Sequence, residues 1–291
     1  MAANYQSVQD QLRAAGLCGR RVDALEITGR VVRTAVEGER EQRGWYVLHT
    51  TPGPQMEELI VGSFGVWQGN INNAQKIELD KSQTLSDEQR EALKVKWRED
   101  RKRADALRKA EQETAARRAE LVWRKCSETP PDGSAGYLAA KGVSGHGIRY
   151  TPSGAIVVPM ADANGRVHGL QFVLSRNNPE HAKRIRKLER DKENWPKGHA
   201  LQAHWHQIGV IVWIILICEG YATGASLHEA TGLPVAVAFA ANNLQHVAKA
   251  LRKAHPRARI LICADDDFAT QGNPGISSAS AAALAVSGAW A

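Results

Sequence analysis

A chain of 291 residues is long enough for two or three separately cored units, at roughly 100 to 200 residues per domain. Its formal net charge of +7 and pI near 9.3 favour a polyanionic partner, because Lys and Arg gain free energy by displacing counterions from phosphates. The longest apolar run, Val210 to Cys218, has nine residues where a membrane span needs about 20, and MAANYQSVQDQLR has no basic start followed by an apolar stretch. The expectation is a cytoplasmic protein with no membrane partner.

Residues 1–85 open with a helical pattern around Tyr5 to Ala15 and pass into β-type segments, Gly44 to Leu48 and Leu59 to Gly65, punctuated by Gly and Pro. They predict a small β-rich module. Ser86-Asp87-Glu88-Gln89 then has capping-box form, and neither Gly nor Pro intervenes before Cys126. Residues 86–126 therefore predict one long charged helix, with 13 Lys or Arg against 9 Asp or Glu and a thin apolar stripe at Leu93, Trp97, Ala104 and Leu107. Such a helix reads first as a solvated spacer laced with i,i+4 ion pairs, and second as a nucleic-acid contact.

Thr129-Pro130-Pro131-Asp132-Gly133 breaks that helix. An α+β unit follows over 127–208, with β-rich runs at Ala155 to Met160 and Val167 to Leu174 around an Asn164-Gly165 hairpin signal. Its segment 181–198 is basic, carrying Lys183, Arg184, Arg186, Lys187, Arg190, Lys192 and Lys197 against three acids. His204 and His206 have no Cys nearby in sequence. Cys18, Cys126, Cys218 and Cys263 are scattered without a C-x-x-C pair and read as small buried hydrophobes, so no zinc is expected.

From Gly209 the order becomes strand (210–218), helix (222–231), strand (235–239), helix (243–254), strand (260–264) and helix (276–287). Apolar strands alternating with helices predict an α/β fold, a parallel sheet with helices on both faces. Ligands of such sheets gather at the carboxyl ends of the strands. Glu219 follows the first strand, and Asp265-Asp266-Asp267 follows the third. Alternate residues of an extended segment point the same way, so Asp265 and Asp267 are expected to face Glu219 while Asp266 points elsewhere. Each acidic cluster alone also reads as a helix cap or turn; together at two strand ends they predict a site for Mg2+ or Mn2+, which prefer carboxylate, water and phosphate oxygens.

The pattern of apolar strand, Glu219-Gly220-Tyr221-Ala222-Thr223-Gly224, helix, strand, helix and Ala264-Asp265-Asp266-Asp267 resembles the Toprim domain of bacterial-type primases, topoisomerases and some nucleases. With Gly272-Asn273-Pro274-Gly275 and the Ala-rich helix after it, the likeness is to Toprim primases of plasmids, phages and mobile elements. Tyr137 to Val143, Leu170-Gln171-Phe172 and Trp195-Pro196-Lys197-Gly198 are similar to the basic subdomain that precedes Toprim in those enzymes.

The resemblance implies that Glu219, Asp265 and Asp267 are catalytic and metal-binding. It implies that Lys183, Arg184, Arg186, Lys187 and Lys197 contact a single-stranded DNA template or ribonucleoside triphosphates. The implied reaction is RNA primer synthesis, with a replicative helicase in cis or in trans. It also implies a further Toprim strand beyond Ala291, so residues 209–291 are expected to be a Toprim domain shortened at its carboxyl-terminal end. A Toprim nuclease and a non-catalytic binding module for single-stranded DNA or a replication partner are the alternatives. A topoisomerase fits less well, since its tyrosine nucleophile normally sits in a separate domain.

Overall fold

The computed structural model describes residues 2–39, 42–54, 57–68, 71–80, 87–131, 136–175, 178–190, 203–211, 213–270 and 272–291. The chain forms two units, residues 1–109 and 110–291, with the boundary inside one long helix.

The first unit runs α1 (Tyr5–Ala14), β1 (Leu17–Cys18), α2 (Arg20–Asp23), β2 (Val32–Val36), β3 (Gly44–Pro52), β4 (Glu58–Gln68), β5 (Ile71–Asn72) and β6 (Gln75–Lys76). All neighbouring strands pair antiparallel in the order β1-β2-β3-β4-β5, with β6 also on β4. Period-two alternation decides the faces. Tyr46 and Leu48 of β3 join Ile60 and Phe64 of β4 in a core closed by Val8 and Leu12 of α1. Leu59 and Val61 point the other way, onto Leu93 of α3 (Asp87–Lys125).

Helix α3 occupies the predicted span, although the expected cap Ser86 lies outside the described residues. Ion pairs run along it, including Lys94–Glu91, Arg117–Glu113 and Arg124–Glu120. The expected apolar stripe is only partly used: Leu93 is buried, but Leu107 stays half exposed and Ala104 is exposed too.

The second unit continues with α4 (Gly136–Lys141), β7 (Arg149–Tyr150), β8 (Ile156–Ala161), β9 (Val167–Val173), α5 (Pro179–Arg190) and β10 (His206–Ile208). Then come β11 (Ile214–Cys218), α6 (Tyr221–Thr231), β12 (Val235–Val237), α7 (Ala241–Ala254), β13 (Arg259–Ile262), α8 (Pro274–Ala285) and β14 (Ala289–Trp290). β7, β8 and β9 form a small antiparallel sheet. Asp162 shapes its hairpin turn, its Oδ1 accepting the N–H groups of Asn164 at 2.8 Å and Arg166 at 3.1 Å. Arg166 in turn grips both carboxylate oxygens of Glu113 on α3, at 2.7 and 3.1 Å. Together with Arg117 it holds that carboxyl down at about 2.

The main sheet has the order β10-β12-β11-β13-β14. β12, β11, β13 and β14 are parallel, while β10 is an antiparallel edge strand on β12. Two features depart from the sequence reading. The apolar run from Val210 is not one strand: Gly209 turns at φ +72°, Val210 and Trp213 are 82% and 70% exposed, and pairing starts only at Ile214, where β13 offers partners. A further strand, β14, pairs with β13 after α8.

Alternation along β11 sends Ile215 and Ile217 to one face, with Ile260 and Ile262 of β13, against Leu244, Val247 and Leu251 of α7 and Ala279, Ala282 and Ala283 of α8. Leu216 and Cys218 go to the other, with Val235 and Val237 of β12, against Tyr221 and Ala225 of α6 and Tyr150, Ile156 and Val158 of the small sheet. Each Val, Leu or Ile side chain among them contributes about 1.5–3 kcal/mol on full burial. Gly224 permits the close seating of α6: a Cβ there would lie 2.6 Å from Val237 Cγ2. Burial also pushes the Cys218 and Cys263 thiols up, which keeps them neutral. Among the described residues no helix is long and apolar enough to cross a membrane.

Candidate active site

Parallel pairing puts the carboxyl ends of β11, β12 and β13 at one edge. The β11–β13 ladder runs to Ile217 opposite Ile262, and the Cys263 N–H still donates to the Ile217 carbonyl at 2.7 Å. Glu219 and Asp265 therefore leave the sheet from adjacent strands. On the other side of β11, the amides of Ala238 and Phe239 donate to the carbonyls of Cys218 and Glu219, each at 2.8 Å. Phe239 adopts φ +68°, a costly conformation for a residue with a Cβ, immediately before the start of α7.

Burial is the first cause that raises the proton affinity of Glu219, followed by the negative charges of Asp265 and Asp267; a hydrogen bond from the Ala241 backbone at the start of α7 partly offsets them. Its Oε1 is buried without a hydrogen-bond partner among the described residues. The aspartates meet a different surrounding. Asn273, in a left-handed conformation at φ 39°, accepts the Asp267 N–H at 3.1 Å and the Ile276 N–H at 3.5 Å on one oxygen, and its Nδ2 donates to Asp266 Oδ1 at 2.7 Å. Asp265 and Asp267 thus act electrostatically on Glu219, while Asp266 is tied to Asn273. Gly275 seats the start of α8 against the triplet; a Cβ there would fall 2.0 Å from the Asp265 carbonyl oxygen.

The family model described as a Toprim domain matches residues 214–289, from the start of β11 into β14. The chain carries a Toprim domain. It is also similar to two proteins named DNA primase TraC from Escherichia coli. One is 29% identical over 299 residues, 96% of this chain and 19% of the relative, and the other 28% identical over 275 residues, 89% of this chain and 23% of the relative. The chain thus spans about a fifth of the length of these relatives. The likeness reaches into residues 1–126, where motif reading found nothing to assign.

Toprim domains imply a divalent metal, and the carboxylates suit one: a buried carboxylate oxygen with no donor, pressed by two neighbouring negative charges, is an arrangement that a cation relieves. Among the described residues no group of three or more His, Cys, Asp or Glu side chains is arranged so that it could hold a metal ion. Magnesium is ordinarily held through one or two carboxylates, with waters and substrate phosphates filling the remaining positions.

Other residues near the Toprim domain have structural explanations. Tyr221 is buried, accepts the His146 N–H at 2.7 Å through its hydroxyl, and has its pKa pushed up to about 12, chiefly by burial. It is not poised as a nucleophile. His206 donates from Nε2 to the His146 carbonyl at 2.8 Å, and His204 packs on the His168 ring. Ahead of the domain, Lys183, Arg184, Arg186 and Lys187 lie exposed on α5, with Arg184 over the Phe172 ring at 5.3 Å. Lys197 lies outside the described residues. Asn178 starts α5 by accepting the Glu180 and His181 amides, at 3.0 and 3.3 Å.

In the sequence Asn273 and Gly275 stand only as part of the Gly272-Asn273-Pro274-Gly275 stretch. The Asn-Pro-Gly order was the available signal, since Asn favours helix starts and Pro the first helical turn. Phe239 carried no signal at all.

Proposed function

We propose that this chain acts as a DNA primase, its Toprim domain synthesising short RNA primers on single-stranded DNA by metal-dependent nucleotidyl transfer during replication of a plasmid, phage or mobile element. The observation that carries the reading is the buried, unpartnered Glu219 oxygen beside Asp265 and Asp267 at one edge of a parallel sheet. Glu219, Asp265 and Asp267 would hold Mg2+ or Mn2+. The bound ion would polarise the α-phosphate of a ribonucleoside triphosphate and stabilise the developing charge on the leaving pyrophosphate. Where Glu219 does not itself hold the ion, it would serve as the acid-base carboxylate near the attacking 3′-hydroxyl. The exposed Lys183, Arg184, Arg186 and Lys187 supply charge for template or triphosphate phosphates.

A ribonucleotide-incorporation assay on single-stranded template with magnesium, comparing wild type with Asp265→Ala, tests the reading. Template-dependent primers from wild type and none from the variant are expected. Equal product from the variant overturns the site. Cleavage of the template in place of synthesis supports a nuclease built on the same carboxylates, and DNA binding without either product supports a binding module.

A further inference from the structure

The aspartate triplet is held by a side chain outside it. Asn273 is six residues past Asp267, and its one oxygen accepts both the Asp267 N–H and the Ile276 N–H of α8. Its amide nitrogen meanwhile donates to Asp266 Oδ1 at 2.7 Å. The intervening loop is braced by two backbone bonds, Thr270 N–H to Asp267 C=O at 2.7 Å and Asn273 N–H to Thr270 C=O at 3.0 Å.

Three consecutive carboxylates repel one another, and an unbraced loop would rotate their backbone to spread them. A donor fixed on the middle carboxylate and an acceptor fixed on the third residue's amide prevent that rotation. They tie Asp266 to Asn273, while Asp265 and Asp267 bear electrostatically on Glu219.

Asparagine meets both demands because it combines an acceptor and a donor at the end of a short side chain and tolerates positive φ. Capping α8 alone would need only the oxygen. The nitrogen, aimed at Asp266, has no part in the cap.

Resting on the metal-site reading proposed above, we infer that Asn273 is a positioning residue for the divalent cation, setting the orientation of Asp265 and Asp267 through the Asp267 amide and Asp266. It touches neither the reacting atoms nor the ion.

Asn273→Gly is the informative variant, because glycine accepts both positive φ and a helix start while removing both triplet contacts. Manganese binding to the intact chain, followed by electron paramagnetic resonance of the free ion without nucleotide, is the first readout. Loss of an outer hydrogen bond to a metal ligand typically weakens binding 10- to 100-fold, so half-saturation should rise by about 10-fold or more. Hydrogen exchange of the Asp267 amide is the second, and it should quicken in the variant with the thermal midpoint nearly unchanged. Asp266→Asn, which keeps the shape and removes the charge from the Nδ2 contact, should shift half-saturation in the same direction by less. Wild-type half-saturation in Asn273→Gly, with wild type itself binding manganese, overturns the role of Asn273 alone. Absence of manganese binding by wild type overturns the site reading and this inference with it.

Discussion

The two large sheets of this chain are built from similar apolar residues, yet differ in where their strands end. In the first unit neighbouring strands are antiparallel, so the residues that follow them are divided between opposite edges. In the second, β12, β11, β13 and β14 run the same way, and Glu219, Phe239 and Asp265 all emerge at one edge, beside the starts of α7 and α8. Direction of pairing, rather than composition, concentrates the carboxylates. The same residues on an antiparallel sheet would be divided between opposite edges.

The sharpest way to break this contrast is to disturb the crowded edge without altering a carboxylate. Gly275→Ala forces a methyl to within 2.0 Å of the Asp265 carbonyl oxygen. Displacing reacting groups by about 1 Å commonly costs about 100-fold in rate, and primer synthesis by the variant should fall by about that factor while the first unit stays folded. A near wild-type rate would mean that the seat of α8 has no bearing on the site. Leu48→Ala addresses the other sheet. It empties a fully buried position and should lower the stability of the first unit by about 2–5 kcal/mol, with manganese affinity of the second unchanged. Coupled loss of metal binding would erase the distinction drawn between the sheets.

Smaller effects sharpen the picture within the second unit. Tyr221→Phe leaves the His146 N–H without its partner and should cost about 1–3 kcal/mol in a denaturant titration while primer synthesis persists; abolished synthesis with an intact fold would show that Tyr221 takes part in the chemistry. His206 supplies a pH signature. Burial lowers its pKa below 6.5, so the unfolded chain takes up the proton first. Its contribution is present in full above about pH 6.5 and falls as the medium is acidified toward the folded value, by at most about 1.4 kcal/mol per pH unit. The gap in thermal midpoint between wild type and His206→Gln should narrow from pH 7 to 5, with the shallower slope in the variant.

Much of this organisation was legible in the sequence because it follows from local pattern. Apolar runs alternating with helical periodicity gave the α/β order after Gly209, and the acids at two strand ends gave a reason to look at Glu219, Asp265 and Asp267. The stretch without Gly or Pro gave α3 nearly residue for residue. What remained hidden depends on partners distant in sequence. Val210 to Trp213 are as apolar as the strand that follows, but strand length is decided by where β12 and β13 offer pairing groups. The direction of β10 is likewise decided by its neighbour β12. Asn273 reads locally as a helix cap, and its second duty toward Asp266 exists only once the loop has closed.

The central proposal is that Glu219, Asp265 and Asp267 act together as a cation site. Titration calorimetry of the intact chain with magnesium, wild type against Glu219→Gln, tests this most directly, since the substitution keeps the shape of the side chain and removes the charge from the buried oxygen. The predicted result is a binding isotherm in wild type that is lost in the variant. Equal binding by both proteins would contradict the account.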